Sequence, residues 1–282
     1  MTKRIPIVAF QGVPGAYSEA AARLVFQGPV TSAACESFAD VFASVESGAS
    51  AFGIVPIENS LAGSIHQNYD LLLAHRLHIV AETHLRVEHV LMARPGTAFR
   101  ALRSVRSHPQ ALAQCSKFFR SRPSLKAIPY FDTAGAAQSL HDERSADTGA
   151  IAGAYAAKLY GLRILRRHLE DAPGNFTRFL LLARRPWKPH GRAATKTSIV
   201  FAPAQNQTGV LFRILGVFAL RDIDLTKIES RPDPSTPFNY LFYVDLAGDP
   251  SQKNVAGALA HLADLAREYR VLGSYPRGRG HL

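Results

Sequence analysis

The stretch Asn175-Phe176-Thr177-Arg178-Phe179-Leu180-Leu181-Leu182-Ala183 sets a hydroxyl and a guanidinium between aromatic residues and then runs apolar without a break. An apolar run of that length predicts a buried strand, so Thr177 and Arg178 stand where such a strand opens into something else. Arg seldom enters an interior without a partner. At a strand mouth its fork can hold a carboxylate by two parallel hydrogen bonds. The plainer reading pairs it with a local acid.

Working outward from this strand, the preceding chain alternates strands with helices. Strands are expected at Ile5–Phe10, Phe52–Val55, His78–Glu82, Val87–Ala93, Ala127–Phe131 and Gly149–Ala152. Helices are expected after Ser18, which can cap the first, at Asp40–Glu46 with Gly48 ending it, and at Ile65–His75. Further helices are expected from Pro109 to Phe119, from a Thr133 cap through Ala134–Leu140, and at Ala154–Tyr160. This order predicts an α/β unit with a mostly parallel sheet. Arg184–Lys196 holds Pro186, Pro189, Gly191 and several charges, which marks a linker. Beyond it come a strand at Thr197–Ala202, a helix at Gly209–Ala219, strands at Leu225–Ser230 and Tyr240–Leu246, a helix at Asn254–Glu268 and a last edge strand at Arg270–Tyr275. That βαββαβ order is ferredoxin-like, and no other internal repeat is evident.

The 282 residues suffice for two domains, and 47% hydrophobic with 20% charged residues is ordinary for a folded protein. The formal charge of +11 comes from scattered Lys and Arg. The tightest clusters, Arg163-Arg166-Arg167 and Arg184-Arg185-Lys188, lack interleaved aromatic platforms, which argues against nucleic acid. A positive field also draws in a small dianion. Cys35 and Cys115 form no CxxC pair or disulfide framework, which fits a reducing cytoplasm. The eleven histidines make no metal constellation. No segment approaches the ~18 apolar residues of a membrane span, and the first strand begins too early for a signal or transit peptide.

Small polar residues recur where strands give way to helices, the place where open α/β sheets bind ligands and helix N-termini offer N–H groups to anions. Gly12-Val13-Pro14-Gly15-Ala16-Tyr17-Ser18 is one such segment, and it lacks both GxGxxG and a following Lys-Ser/Thr. Glu58-Asn59-Ser60, Ser107-His108-Pro109-Gln110 and Asp132-Thr133-Ala134-Gly135 are the others. Each alone reads as a cap or turn. Together with Thr177-Arg178 they describe a cleft rich in hydroxyls and amides and poor in carboxylates, suited to an anionic organic substrate. Ser107 beside His108 does not give the geometry of a nucleophile and base. Glu58 is read as orienting its neighbours rather than as a base.

The segments Val55–Gly63, Ser107–Gln110, Asp132–Ala134 and Asn175–Phe179 resemble, in order, the signature set of prephenate dehydratases. Gly209–Leu215 and Ile228–Pro232 resemble the two phenylalanine-binding motifs of the ACT regulatory domain in that family, with Val210 where Ala is usual and Thr208 where Pro is common. The resemblance implies a catalytic domain over 5–184, two-lobed like a type 2 periplasmic binding protein with the site between the lobes. It further implies a linker at 185–196 and an ACT domain at 197–275.

The implied reaction removes water and CO2 from prephenate, giving phenylpyruvate for phenylalanine synthesis, with no cofactor and no metal. The resemblance makes Thr177 the essential hydroxyl, with Arg178 and Phe179 completing its motif. It lines the cleft with Ser18, Asn59, Ser60, Ser107, Gln110, Thr133, Ala134 and Asn175, and either Arg178 or helix N-termini hold the pyruvyl carboxylate. It places a phenylalanine effector near Gly209, Leu211, Glu229, Ser230 and Arg231, between chains that pair as a dimer or tetramer. Gln11–Glu19, Asp132–Ala137 and Leu225–Pro232 also resemble arogenate dehydratases of plants, so arogenate, or both substrates, is the alternative. An amino-acid sensor without chemistry is the remote one.

Overall fold

The computed structural model describes residues 5–26, 28–143, 146–186, 195–205 and 207–278. The chain first lays down β1 (Ile7–Gln11), α1 (Tyr17–Phe26), β2 (Thr31–Cys35), α2 (Phe38–Ser47), β3 (Phe52–Asn59), β4 (Gly63–Ser64), α3 (His66–Ala74) and β5 (His78–Arg86). It then crosses to a second lobe built from β6 (Val90–Ala93), β7 (Ser104–Ser107), α4 (Pro109–Gln114), α5 (Ser116–Arg120), β8 (Lys126–Pro129), α6 (Thr133–Asp142), β9 (Thr148–Ala152), α7 (Ala154–Leu159) and β10 (Arg163–Arg166). It returns as β11 (Phe176–Ala183).

The first sheet runs β2-β1-β3-β11-β5, with β4 hanging on β3, and the second runs β8-β7-β9-β6-β10. The two orders are the same. In each, three parallel strands are followed by one antiparallel strand, inserted where the chain has just crossed from the other lobe, and then by an edge strand. The lobes are thus one topology used twice, a repeat of connectivity that leaves no trace as a sequence repeat. Each sheet is mixed rather than mostly parallel. One core cluster crosses between the lobes, joining Val8 and Phe10 to Ala134, Leu140 and Ala150.

Local chemistry explains most of the element boundaries. Ser37 and Asp40 form a reciprocal capping box at the start of α2, and Gly48 ends that helix at φ 85°, a left-handed conformation suited to glycine. Asp132, not Thr133, caps α6, accepting from the N–H groups of Ala134 and Gly135. Ser18 lies inside the first turn of α1, and there the Glu19 carboxylate takes the Gly15 N–H at 2.7 Å. The helix expected over Pro109–Phe119 breaks at Cys115. Strand β3 continues through Pro56, whose missing N–H falls at the register shift opposite Phe179. Strand β10 is an edge with only Ile164 and Leu165 between arginines, so its charge masks its strand character.

The C-terminal unit comprises β12 (Lys196–Pro203), α8 (Val210–Ala219), β13 (Leu225–Pro232), β14 (Tyr240–Ala247), α9 (Lys253–Leu265) and β15 (Ala266–Tyr275). Its antiparallel sheet runs β13-β14-β12-β15, the ferredoxin-like order. One face packs on α8 and α9 through Phe201, Ile214, Phe218 and Leu262. The other face packs on the back of the first sheet and on α3, where Val200, Leu241, Tyr243 and Leu272 join Ile57, Leu180 and Leu182 of the sheet and Tyr69 of the helix. The linker residues 187–194 lie outside the described residues. No helix among the described residues is long and apolar enough to cross a membrane.

At Gly273, β15 passes so close to β5 that an added Cβ meets the backbone of Ile79. Gly273→Ala must therefore push two backbones apart. Its expected cost is about 1–3 kcal/mol, read as a lowered unfolding midpoint in urea.

Candidate active site

The cleft between the lobes has a volume of about 300 Å3 and lies at the C-terminal ends of β1 and β3. Gln11 and Asn59 come from those strand ends, and Tyr17 and Ser18 from the start of α1. His108, Gln110 and Gln114 come from α4 and its cap, and Asp132 and Thr133 from the start of α6. Asn175, Thr177 and Phe179 arrive on or just before β11, and His89 lies on the crossing between the lobes. No Lys or Arg lines it among the described residues, and its one carboxylate, Asp132, is committed to the cap of α6.

A chain of hydrogen bonds runs along the wall. The carboxamide of Asn59 is oriented by its Oδ1, which accepts from the N–H groups of Leu61 and Ala62 at 3.0 and 2.9 Å. Its Nδ2 therefore faces inward and donates to Asn175 Oδ1 at 2.7 Å and to Thr177 Oγ1 at 3.0 Å. Asn175 Nδ2 reaches Gln114 Oε1 at 3.3 Å, and His89 Nε2 donates to the same oxygen at 2.8 Å. The far side of the His89 ring meets the Tyr17 hydroxyl at 3.1 Å. Burial pushes the His89 pKa below its ordinary 6.5, although Gln114 and Glu170 pull the other way. Burial, then the charge of Glu170, pushes the Tyr17 phenol up.

This arrangement has one chemical consequence. Thr177 Oγ1 accepts from Asn59, so its own proton is left to donate. The hydroxyl is 8% exposed as part of its residue and is aimed into the cleft beside Phe179.

Of the residues singled out in the sequence, the structure gathers Ser18, Asn59, Gln110, Thr133, Asn175, Thr177 and Phe179 around the cleft. Ser60, Ser107, Ala134 and Arg178 lie off its wall. Ser60 staples two segments, accepting from Phe176 N–H and donating to the Gly174 carbonyl. Ser107 is fully buried and donates to the Ile151 carbonyl at 2.6 Å. Ala134 is core beneath the first turn of α6. Tyr17, His89 and Gln114 belong to the cleft without having been singled out. Gln114 follows Gln110 by four residues, one helical turn on the same face, and that spacing was a usable signal.

Arg178 leaves the cleft because side chains alternate along a strand. Thr177 and Phe179 face the site, while Arg178 faces the C-terminal unit, nearly buried. It pairs with Glu82 at 2.7 Å and with Asp245 at 2.6 Å. Lys196 joins Glu82 at 2.8 Å. Burial pushes the Glu82 carboxyl up, but Arg178 and Lys196 outweigh it and hold that carboxyl below its ordinary range. Burial likewise opposes the charge on Arg178, and Asp245, with Tyr275 and Glu82, more than restores it. The plainer reading of Arg178, a cation paired with an acid, is the one the geometry supports. Glu58 also faces the C-terminal unit and meets Lys227 at 2.8 Å.

The same alternation divides the residues expected around an effector. Glu229 and Arg231 point at the catalytic lobe. Glu229 accepts from the Ser64 hydroxyl and meets His66, and Arg231 grips Asp70 through two nitrogens at 3.0 and 2.8 Å. Burial pushes Glu229 up, and the Ser64 hydroxyl and Lys227 hold it below its ordinary value. Ser230 is exposed on the opposite face of β13. Gly209, at φ 78°, and Leu211 open helix α8.

The family model described as prephenate dehydratase matches residues 8–186, and that of the ACT domain matches residues 198–264. The chain is 45% identical over 283 residues to arogenate dehydratase/prephenate dehydratase 1, chloroplastic, of Arabidopsis thaliana, covering 95% of this chain and 71% of that protein. Among solved structures, prephenate dehydratase of Arthrobacter aurescens in complex with L-Phe matches with a TM-score of 0.85 at 31% identity, covering 96% of this chain and 90% of that one. A structure described as GqqA, a novel type of quorum quenching acylase, matches with a TM-score of 0.87 at 37% identity, covering 96% and 98%. With a family match over most of its length, a shared two-lobed frame and a C-terminal ACT unit, this chain belongs to the prephenate dehydratase family.

Proposed function

We propose that the cleft converts prephenate to phenylpyruvate. The carrying observation is the Thr177 hydroxyl, whose lone pair is used by Asn59 and whose proton is free to donate. The ring C–C bond to the carboxylate breaks and CO2 leaves. That electron pair aromatises the ring, and the ring C–O bond breaks. The departing hydroxide leaves as water, with one proton taken up overall. Thr177 donates a hydrogen bond to the leaving oxygen, and the Asn59 contact positions it.

Prephenate carries two carboxylates, and only the ring carboxylate departs. With Arg178 turned away, the N-terminal N–H groups of α1 and the amides of Gln11, Gln110 and Gln114 are the groups suited to the pyruvyl carboxylate. The ring carboxylate faces the apolar side of the cleft, where Pro56, Val87 and Phe179 solvate it poorly. Holding both anions equally well would lower the ground state without helping the reaction. The overall +11 charge draws the dianion toward the cleft. Arogenate, with an amine for the keto group, is the alternative substrate, in keeping with the names of the plant relatives. The acylase description attached to one structural relative would require a base on the hydroxyl, whereas the neighbour of Thr177 is an amide donor.

We place phenylalanine at the ACT unit near Gly209, Leu211 and Ser230, with Glu229 and Arg231 already engaged by the catalytic lobe. Phe212 and Phe238 are 81% and 89% exposed, and β13 is an open sheet edge. Apolar surface and an unpaired edge on one unit favour pairing with a second copy of this chain. Two free cysteines accord with a cytoplasmic setting.

Thr177→Ala is expected to lower turnover of prephenate about 10²–10³-fold, the range for losing one preorganised donor, with KM nearly unchanged and Thr177→Ser retaining part of the rate. Near-normal turnover in folded Thr177→Ala defeats the assignment. Turnover of arogenate alone keeps the mechanism and moves the substrate.

A pH dependence follows from His89. Its folded pKa lies below the ordinary 6.5, so the buried neutral ring stabilises the fold above that pH, and this contribution is lost as pH falls through the folded value. His89→Gln is expected to flatten part of the fall in urea midpoint as the pH drops below the ordinary histidine value.

A further inference from the structure

Two pairs of neighbouring residues stand back to back at the mouth of the first sheet. Thr177 lies opposite Asn59 in the register of β11 and β3, and Arg178 lies opposite Glu58. Thr177 and Asn59 face the cleft and touch each other. Glu58 and Arg178 face the C-terminal sheet, where Lys227 lies opposite Asp245 in the register of β13 and β14. The charges are complementary across the gap, with Glu58 to Lys227 at 2.8 Å and Arg178 to Asp245 at 2.6 Å. The result is a quartet of alternating sign, two corners on each sheet, set directly behind the Thr177–Asn59 pair.

We propose that this quartet carries the state of the C-terminal unit to Thr177 and Asn59, with Arg178 and Glu58 acting as positioning residues; the proposal rests on the catalytic and effector readings above. Each corner on the catalytic sheet is the chain neighbour of one cleft residue, so a pull on Arg178 or Glu58 moves the backbone that bears Thr177 or Asn59. A displacement of about 1 Å at a reacting group is enough to change a rate by 10².

Arg178 has two carboxylates to choose between. Glu82 belongs to its own sheet, on β5, and Asp245 to the C-terminal sheet. Lys196 shares Glu82, while Ser198 and Tyr275 bond to one another and Ser198 reaches Asp245 at 2.5 Å. The guanidinium can therefore be shared between sheets or withdrawn onto Glu82, two discrete arrangements of the kind an effector can bias. Two other sets of contacts between the units do not have this property. The Leu180–Leu182 face against Val200 and Leu272 is apolar and non-directional. Arg231–Asp70 and the bonds of Arg270 to the Leu72 and His75 carbonyls hold helix α3, not the strands of the cleft.

The test uses the full chain with Asp245→Asn, which keeps an acceptor for Arg178, and Lys227→Met, which releases the more exposed Glu58 to water. Arg270→Met serves as a variant that loosens the interface away from the cleft. Phenylalanine affinity is measured by calorimetry, prephenate turnover with and without saturating phenylalanine, and amide hydrogen exchange over 176–183. Asp245→Asn and Lys227→Met are expected to bind phenylalanine within about two-fold of the parent chain while its effect on kcat/KM shrinks at least about five-fold. Arg270→Met is expected to keep the full effect. A parent-like response in both quartet variants, or an equal loss in Arg270→Met, overturns the proposal. So does a parent chain that binds phenylalanine with no change in turnover or in exchange at 176–183, an outcome that leaves the catalytic reading standing. Exchange that responds to phenylalanine in the parent but not in the variants, in a chain that turns over neither substrate, keeps the proposal and removes the catalytic reading. Should Asp245→Asn fail to fold, Lys227→Met decides alone.

Discussion

The alternation of side chains along β11 is the constraint on which the rest of this structure depends. Two adjacent residues on a strand cannot serve the same face. Thr177 and Phe179 are given to the cleft, so Arg178 and Leu180 are given to the back of the sheet. A guanidinium on that face requires acids, and Glu82 and Asp245 supply them from two different sheets. The docking of the C-terminal unit is therefore written into the same tripeptide that carries the Thr177 hydroxyl of the cleft. Breaking one partner of such a buried pair leaves an uncompensated charge, which typically costs about 3–5 kcal/mol.

On the other face the site is assembled almost wholly from neutral donors. The Asn59 carboxamide cannot turn over without losing two backbone partners, and this decides which way the Thr177 hydroxyl bonds. Asn175, Gln114 and His89 extend the same logic along the wall, each satisfied by the next. A cleft of this kind stabilises an anion without clamping it. That suits a substrate that must lose one of two negative groups and keep the other.

Much of this was legible in the chain. The βαββαβ tail, the strand at Phe176–Ala183 and the convergence of strand ends on a polar cleft all follow from period, turn chemistry and caps. The repeated topology of the two lobes was not legible, because it resides in which strands pair, and pairing across a lobe crossing has no local signature. Which of its two partners Arg178 takes, a ligand or a local acid, was not legible for a different reason. Motif reading treats neighbours as partners, whereas strand geometry separates them. The resemblance puts Ser60 and Ser107 on the cleft wall, yet their hydroxyls are spent on backbone groups. His89 had no motif around it and reaches the cleft only by its position on the crossing between the lobes.

The inserted position of β11 also governs how the chain can be made. The first lobe keeps a slot between β3 and β5 that is filled only after the whole second lobe has been synthesised, and the contact between Asn59 and Thr177 spans 118 positions. Until then a nascent chain leaving the ribosome carries two unpaired strand edges, each an invitation to foreign strands. Pairing at such long range is slow because a large loop must close before any bond rewards it. The first lobe is accordingly the first part translated and among the last to be finished, which makes it the part of this molecule most dependent on shelter during synthesis.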